Sequence, residues 1–277
     1  MGNILLPAQR SNQYFRLALG SAVSLVVLYA FIYFFEPFPG SGNDLASNLL
    51  TVFSSLASAV AATMIWAFYD KADAPRHVWE RFAIGLWLWC LAEAIWAFLN
   101  MRDGEVNIGW ADFFWVLAYG FMFGALFQQH RILSFENPET TRKWMAWMSV
   151  PFALLAVLLV LILINFFFPL DFITNLVNGF YPLGDLLVGL LALWLIRSFQ
   201  GGTFVRPWVS LIIFAVADFL YFVLEYSGVY SWSVESSNIL SSWTDILYFA
   251  AYLAITVGIL GQWLSLRYSF LPFKPKS

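Results

Sequence analysis

Charged residues are scarce in this sequence. Only 11% of the 277 residues are Asp, Glu, Lys or Arg, and 61% are hydrophobic, whereas a soluble domain has about 25% charged residues. This composition argues against an ordinary soluble domain and indicates a chain embedded in a lipid bilayer. The formal net charge of −3 lacks the basic excess of a nucleic-acid-binding protein, so no nucleic-acid partner is expected.

Residues required by several cofactor and enzyme chemistries are also scarce. The single cysteine, Cys90, cannot form an internal disulfide. Both histidines, His77 and His130, lie near segment ends predicted to face the cytoplasm, so no histidine pair holds a haem in the membrane. No lysine lies inside a hydrophobic segment, and the GK of a P-loop and the G-x-S-x-G elbow are both missing. The sequence predicts no cofactor, no metal site and no assigned catalytic residue.

Long hydrophobic segments dominate what is present. Because no water satisfies backbone groups inside a bilayer, such segments must be helices. The sequence therefore predicts an all-α polytopic membrane protein with eight transmembrane helices. The segments are 17–35, 45–69, 82–99, 110–127, 147–168, 176–196, 208–224 and 243–264.

Basic residues predict the orientation. Thirteen of the fourteen fall on one side of the predicted membrane and only Arg102 on the other. The positive-inside rule then places both termini in the cytoplasm, and we expect a bacterial inner membrane. The predicted organisation is a cytoplasmic N-terminal segment 1–16, a first four-helix repeat 17–144, a second repeat 145–267, and a cytoplasmic tail 268–277.

An internal repeat underlies that division. The pattern W-x-D-x-x-[WY]-x-x-x-Y occurs at 110–119 and again at 243–252. Four more pairs match at a constant offset of 125: Trp89 with Phe214, Glu93 with Asp218, Trp96 with Tyr221, and Asn100 with Glu225. Because each repeat has an even number of helices, both have the same orientation. Parallel repeats of this kind often hold a site at their interface.

Acidic residues inside hydrophobic segments mark the candidate site. An Asp in mid-membrane costs about 2.5–3.5 kcal/mol on insertion scales, and no Lys or Arg lies at the depth of Glu93 and Asp218. Their partners must be polar side chains, water, a proton or a bound cation. Carboxyls among aromatic faces favour a cation or a lipid-like molecule with a cationic head. The predicted ligand-binding residues are Glu93, Trp96, Asn100, Asp112, Tyr119, Tyr181, Asp185, Asp218, Tyr221, Glu225, Asp245 and Tyr252.

A structural interpretation of the same acids stays open. Buried carboxylic acids also hydrogen-bond across helices and hold them together. Asp112 lies three residues after Gly109, and Asp245 lies three residues after Ser242. Gly109 and Ser242 are helix-start signals, and this spacing is typical of a capping box.

The run 89–119 resembles the multi-pass membrane sensor regions that precede the cyclase domains of some bacterial diguanylate cyclases. The residues that carry the resemblance are Glu93, Trp96, Ala111, Asp112 and Tyr119, and the pattern returns at 218–252. The resemblance implies a module that senses signals at the membrane and controls an output. Because the sequence has no G-G-[DE]-E-F motif, the output would be a partner protein.

Together these features predict a membrane ligand-binding or sensor module with an outward-facing acidic and aromatic pocket. It would signal through a cytoplasmic or membrane protein partner. Three alternatives stay open: a proton- or cation-coupled transporter, an intramembrane lipid hydrolase that uses paired carboxylates, and a structural subunit of a membrane complex.

Overall fold

The structure is a computed structural model that describes residues 7–103, 108–134, 172–199 and 202–269, together with Glu139 and Lys143. Seven long α-helices and no strand occur in these ranges. The helices are α1 (Pro7–Phe35), α2 (Gly42–Phe68), α3 (Ala74–Asp103), α4 (Trp110–Ser134), α5 (Phe172–Ser198), α6 (Arg206–Tyr226) and α7 (Ile239–Ser269). A short 3₁₀ turn, Thr203–Val205, precedes α6.

Each of the seven helices contains an apolar stretch of 20 to 30 residues. At 1.5 Å per residue, 20 residues span about 30 Å, which is the thickness of the bilayer's hydrocarbon layer. The chain is therefore a polytopic helical membrane protein. The fifth predicted segment, 147–168, lies outside the described residues, so α5, α6 and α7 correspond to the sixth, seventh and eighth predicted segments.

Several helices begin earlier than the hydrophobic pattern predicts. Helix α1 starts at Pro7 rather than at residue 17, and α3 starts at Ala74 rather than at residue 82. Pro75 lies in the first turn of α3, where its missing N–H costs nothing. Polar first turns are invisible to a hydropathy pattern, and this explains the difference.

Six helices form a closed ring, in which α2, α3, α4, α5, α6 and α7 each pack against the next and α7 returns to α2. Helix α1 packs outside this ring against α7 and α2. Across its middle, α3 and α6 meet where the rings of Trp89 and Phe214 stack with centroids 4.4 Å apart. The side chains that point into the ring determine where space remains between its helices.

The two ends of the ring differ in charge. We call the end that carries Asp44, Asp112 and Glu225 the acidic end, and the opposite end, with Arg131 and Arg206, the basic end. At the basic end α6 lies beside the start of α1, and α5 ends beside α4.

Helices α4 and α5 are parallel neighbours. Asp112, in the first turn of α4, accepts a hydrogen bond over 2.7 Å from the hydroxyl of Tyr181, which lies in the first half of α5. Near their last turns the rings of His130 and Trp194 lie 3.6 Å apart. Both helices therefore begin at the acidic end, so α4 ends at the basic end while α5 starts at the opposite one.

The half of the ring nearest the basic end is tightly packed. Trp79, Phe82 and Trp208 are almost completely buried there, and their rings contact one another. Gly85 lets α4 approach α3, because a Cβ at this position would lie 3.1 Å from a side-chain carbon of Met122. A cavity between the ring helices lies in the other half, where polar side chains face inward, and a separate apolar groove lies between α1, α6 and α7.

Close packing also predicts a local stability effect at Gly258. A Cβ there would lie 2.9 Å from the Arg206 carbonyl oxygen and 2.8 Å from Ser210 Oγ. We expect Gly258→Ala to lower the free energy of unfolding by about 1–3 kcal/mol through overpacking. Reversible unfolding in mixed micelles measures it. The control is Gly20→Ala in α1, whose Cβ would meet nothing within 4 Å. Equal stability of the two variants would contradict the packing of α6 on α7.

Candidate functional site

A cavity of about 180 Å³ lies between the helices in the acidic half of the ring. Among the described residues, 25 line the cavity: six are acidic, thirteen are aromatic, and none is Lys, Arg or His. The acids are Asp44, Glu93, Asp112, Asp218, Glu225 and Asp245. The cavity thus combines acidic side chains with aromatic faces.

Ten of the twelve residues predicted from the sequence line this cavity: Glu93, Trp96, Asn100, Asp112, Tyr119, Tyr181, Asp218, Tyr221, Glu225 and Asp245. The other two lie behind its wall. The Asp185 carboxyl accepts a hydrogen bond from the lining Tyr119, and the Tyr252 hydroxyl donates to the lining Glu93 over 2.7 Å. The structure therefore brings all twelve into one connected site.

Helix periodicity explains why α3 and α6 contribute so much. Trp89, Glu93, Trp96 and Asn100 follow one another at spacings of four, three and four, which places them on one face of α3. The matched residues of α6 have the same spacing. Both faces turn toward the cavity and all eight residues line it.

Glu93 is held by two hydroxyl groups from α7. It is only 4% exposed, and its Oε1 accepts hydrogen bonds from Tyr248 over 2.8 Å and from Tyr252 over 2.7 Å. Buried carboxyls are tolerated only when hydrogen bonds replace lost water. The two phenols meet that requirement while leaving Glu93 at the cavity wall.

Asp245 is held in the same way by two phenols from different elements. Tyr33 of α1 donates to its Oδ2 over 2.9 Å, and Tyr230 from the loop before α7 donates to its Oδ1 over 2.5 Å. Burial, and next the Asp245 carboxylate, raise the pKa of Tyr230 well above its ordinary value. Tyr230 therefore stays protonated and keeps donating at neutral pH.

The capping interpretation holds for one of the two aspartates. Asp112 accepts the backbone N–H of Gly109 over 2.8 Å, as a capping box predicts. Ser242 does not cap α7, because the helix begins at Ile239. Asn238 Oδ1 instead accepts the N–H groups at positions 240 and 241. Freed from that role, Asp245 faces the cavity.

A third group links α4, α5 and α6 through one phenol. The Tyr119 hydroxyl makes a short contact with Oδ1 of Asp185 and lies 3.0 Å from Oδ2 of Asp218. Tyr119 and Asp185 are almost fully buried. Oδ2 of Asp185 is buried without a hydrogen-bond partner among the described residues.

The loop 227–238 covers the mouth of the cavity. Trp232 contacts the rings of Trp96, Tyr221 and Tyr230, with centroids 5.8, 5.8 and 5.2 Å apart. Asp44 at the start of α2 fastens the loop, accepting the Ser233 hydroxyl over 3.0 Å and the N–H of residue 234 over 2.7 Å.

Several lining residues are not among those predicted from the sequence. The main ones are Tyr29 and Tyr33 of α1, Asp44 of α2, and Tyr230 and Trp232 of the loop. The spacing of four between Tyr29 and Tyr33 is the only local signal, since it places both hydroxyls on one helix face. The loop residues carry no signal, because their approach to the cavity depends on tertiary contacts.

Comparisons of the chain with protein-family models, with curated proteins and with solved structures give no match. Any functional conclusion must therefore come from the residues of the site.

Proposed function

We propose that this membrane protein binds a small organic cation, or the cationic head of a lipid-like molecule, in the acidic and aromatic cavity. The observation that carries the proposal is the lining that the structure describes: six carboxyls and thirteen aromatic rings, without a basic side chain among them. Buried negative charge attracts a cation, and aromatic faces stabilise it by cation–π contact.

The arrangement favours an organic cation over a bare metal ion. Among the described residues, no group of three or more His, Cys, Asp or Glu side chains has the spacing to hold a metal ion. The carboxyls are distributed around the wall and separated by rings. A quaternary ammonium group suits such a wall because its charge is spread over methyl groups that pack on aromatic faces.

Binding would serve a sensor function. Trp89 and Phe214, which line the cavity, belong to the same hydrophobic core as Trp79 and Trp208 nearer the basic end. A ligand that prefers one arrangement of α3 and α6 would shift the population of that arrangement. The basic end would then present the change to a cytoplasmic or membrane protein partner, as the resemblance to sensor regions implies.

The proposal includes eight spans, with both termini on the cytoplasmic side. Two observations support this topology. Helix α4 ends at the basic end while α5 begins at the acidic end, so the 37 residues from 135 to 171 must connect opposite ends of the bundle. The hydrophobic stretch 147–168 within that connection is long enough to cross.

The proposal also includes two parallel repeats. The cross-helix hydrogen bonds support it, because each matched tyrosine reaches the matched acid of the other half. Tyr119 of the first half contacts Asp218 of the second over 3.0 Å. Tyr252 of the second half donates to Glu93 of the first over 2.7 Å.

One observation favours a cation-coupled transporter as the second candidate. Pro182 lies inside α5, between Tyr181 at the cavity wall and the buried Asp185. A proline in a helix interior removes a backbone hydrogen bond and creates a point of bending. Flux of choline into proteoliposomes, measured against protein-free vesicles, distinguishes transport from binding alone.

Tryptophan fluorescence tests the proposed function, since Trp89, Trp96, Trp115 and Trp232 line the cavity. Choline is the probe, and 3,3-dimethylbutanol, which has the same shape without the charge, is the ligand control. We expect a saturable change with choline only. Glu93→Gln should weaken binding about 10-fold or more, as expected for loss of a charged contact worth about 1.5–3 kcal/mol.

The matched protein control is Glu80→Gln, an exposed glutamate at the basic end that contacts His77. It should bind choline as the wild type does. Equal responses to choline and its neutral analogue, or equal affinity of Glu93→Gln and wild type, would refute a cation site in this cavity.

A further inference from the structure

Two carboxyls compete for one hydroxyl hydrogen beside the cavity. The Tyr119 oxygen contacts Oδ1 of Asp185 and lies 3.0 Å from Oδ2 of Asp218. A phenol has a single hydrogen to donate. If both carboxyls were ionised, one of the two contacts would bring lone pairs together with no hydrogen between them.

Two other acids of the site, Glu93 and Asp245, do not share this deficit. Glu93 accepts two phenol hydrogens, and Asp245 also accepts two. Asp185, by contrast, is 2% exposed and keeps Oδ2 without a partner among the described residues. An unsatisfied buried carboxylate oxygen is costly. Tyr119, Asp185 and Asp218 therefore need one more hydrogen than the single phenol hydrogen that they have when both carboxyls are ionised.

We infer that Tyr119, Asp185 and Asp218 form a proton-binding site that releases its proton when a cation enters the cavity. The exchange rests on the proposed function, whereas the bound proton follows from the hydrogen count alone. Asp218 lines the cavity and Asp185 lies behind it, so Asp218 is the member of the pair that faces both the cation and the shared proton.

The ionisable groups around Asp185 and Asp218 determine whether a bound cation releases or retains the proton. The ionisable groups facing the pair are Glu93 of α3, Asp112 of α4, Tyr181 of α5, Tyr221 and Glu225 of α6, and Tyr248 and Tyr252 of α7. All are acidic or phenolic, and no basic side chain of the described part of the chain lines the cavity, so a proton or a bound cation must offset the negative charge. A cation near Asp218 disfavours the proton, and by reciprocity loss of the proton favours the cation. Choline should therefore bind more tightly as the pH rises.

Infrared spectroscopy of the purified protein tests the proton directly. A protonated carboxyl has a carbonyl band that shifts when H₂O is replaced by D₂O. We expect such a band in the wild type at neutral pH and its loss in Asp185→Asn and, separately, in Asp218→Asn. In either variant the Asn amide supplies the missing hydrogen, so the remaining carboxyl ionises.

Asp73→Asn is the matched control, because Asp73 lies outside the cavity, in the turn between α2 and α3, where it accepts the backbone N–H of Asp70, and its replacement should leave the band unchanged. The two test variants are independent, so one that fails to fold leaves the other to decide. Carboxyl bands that are the same in wild type and a folded test variant would overturn the proton site.

Proton release on adding choline, followed with a pH-sensitive dye in weak buffer, tests the exchange. We expect up to one proton released per choline bound by the wild type and a clearly smaller ratio in Asp185→Asn. Choline binding without proton release would overturn the exchange. If choline does not bind, the proposed function fails and the exchange with it, while the infrared band alone decides whether the proton site exists.

Discussion

Replacing Tyr248 and Tyr252 together by Phe should lower the free energy of unfolding by about 3–5 kcal/mol, whereas each single replacement should cost about 1 kcal/mol. Both hydroxyls donate to the same oxygen of Glu93. After one replacement the carboxyl keeps a donor, but after both it is buried with neither. The loss should therefore exceed the sum of the single losses.

Unfolding of the four proteins in mixed micelles gives the double-mutant cycle that measures this coupling. Tyr14→Phe is a suitable control, since Tyr14 is 48% exposed at the start of α1 and its ring stacks on Tyr268. We expect it to change stability little. Additive losses from the two test replacements would show that Glu93 finds other donors, and would contradict the network described here.

The hydrogen bonds of the buried acids also help to keep the cavity open. Open space inside a membrane protein survives only if the side chains around it are held away from it. Glu93, Asp112 and Asp245 are each tied to groups from another helix or loop, so none of them turns inward to fill the space. The structural interpretation of these acids and the ligand-binding interpretation are therefore compatible, because the same hydrogen bonds serve both.

Sequence alone predicted the parts of this site that depend on local geometry. The stripe of Glu93, Trp96 and Asn100 on α3 follows from helix periodicity, and that periodicity holds whatever the tertiary structure is. The hydrophobic segments could also be predicted from the sequence, because length and composition decide whether a helix spans a bilayer. Seven of the eight predicted segments correspond to described helices.

Contacts between distant segments were beyond sequence reasoning. The approach of Asp185 to Tyr119, and of Tyr33 to Asp245, joins residues 66 and 212 positions apart. The start of α7 was also misplaced, since Ser242 and Asn238 are both good capping residues and the choice depends on where the helix begins. When two capping residues are equally favourable, tertiary packing determines where the helix begins.

Releasing the loop over the cavity should have the largest kinetic effect. Asp44→Ala removes both hydrogen bonds that fasten residues 233 and 234 to α2. Hydrogen bonds to a charged group are worth about 1.5–3 kcal/mol, so backbone amide exchange at residue 234 should accelerate about 10- to 100-fold. Hydrogen–deuterium exchange with mass spectrometry measures this. Choline should also dissociate faster by a similar factor, if it occupies the cavity beneath Trp232.

The matched control for this prediction is Asp73→Ala. Asp73 also accepts a backbone N–H, that of Asp70 over 2.9 Å, but it does so in the turn between α2 and α3 at the basic end. Its loss should accelerate exchange only in that turn. The location of the effect separates a fastened loop from a general loss of stability. If Asp44→Ala left exchange in the loop unchanged, the ring contacts of Trp232 would have to hold the loop by themselves, and Asp44 would act on the cavity only through its charge.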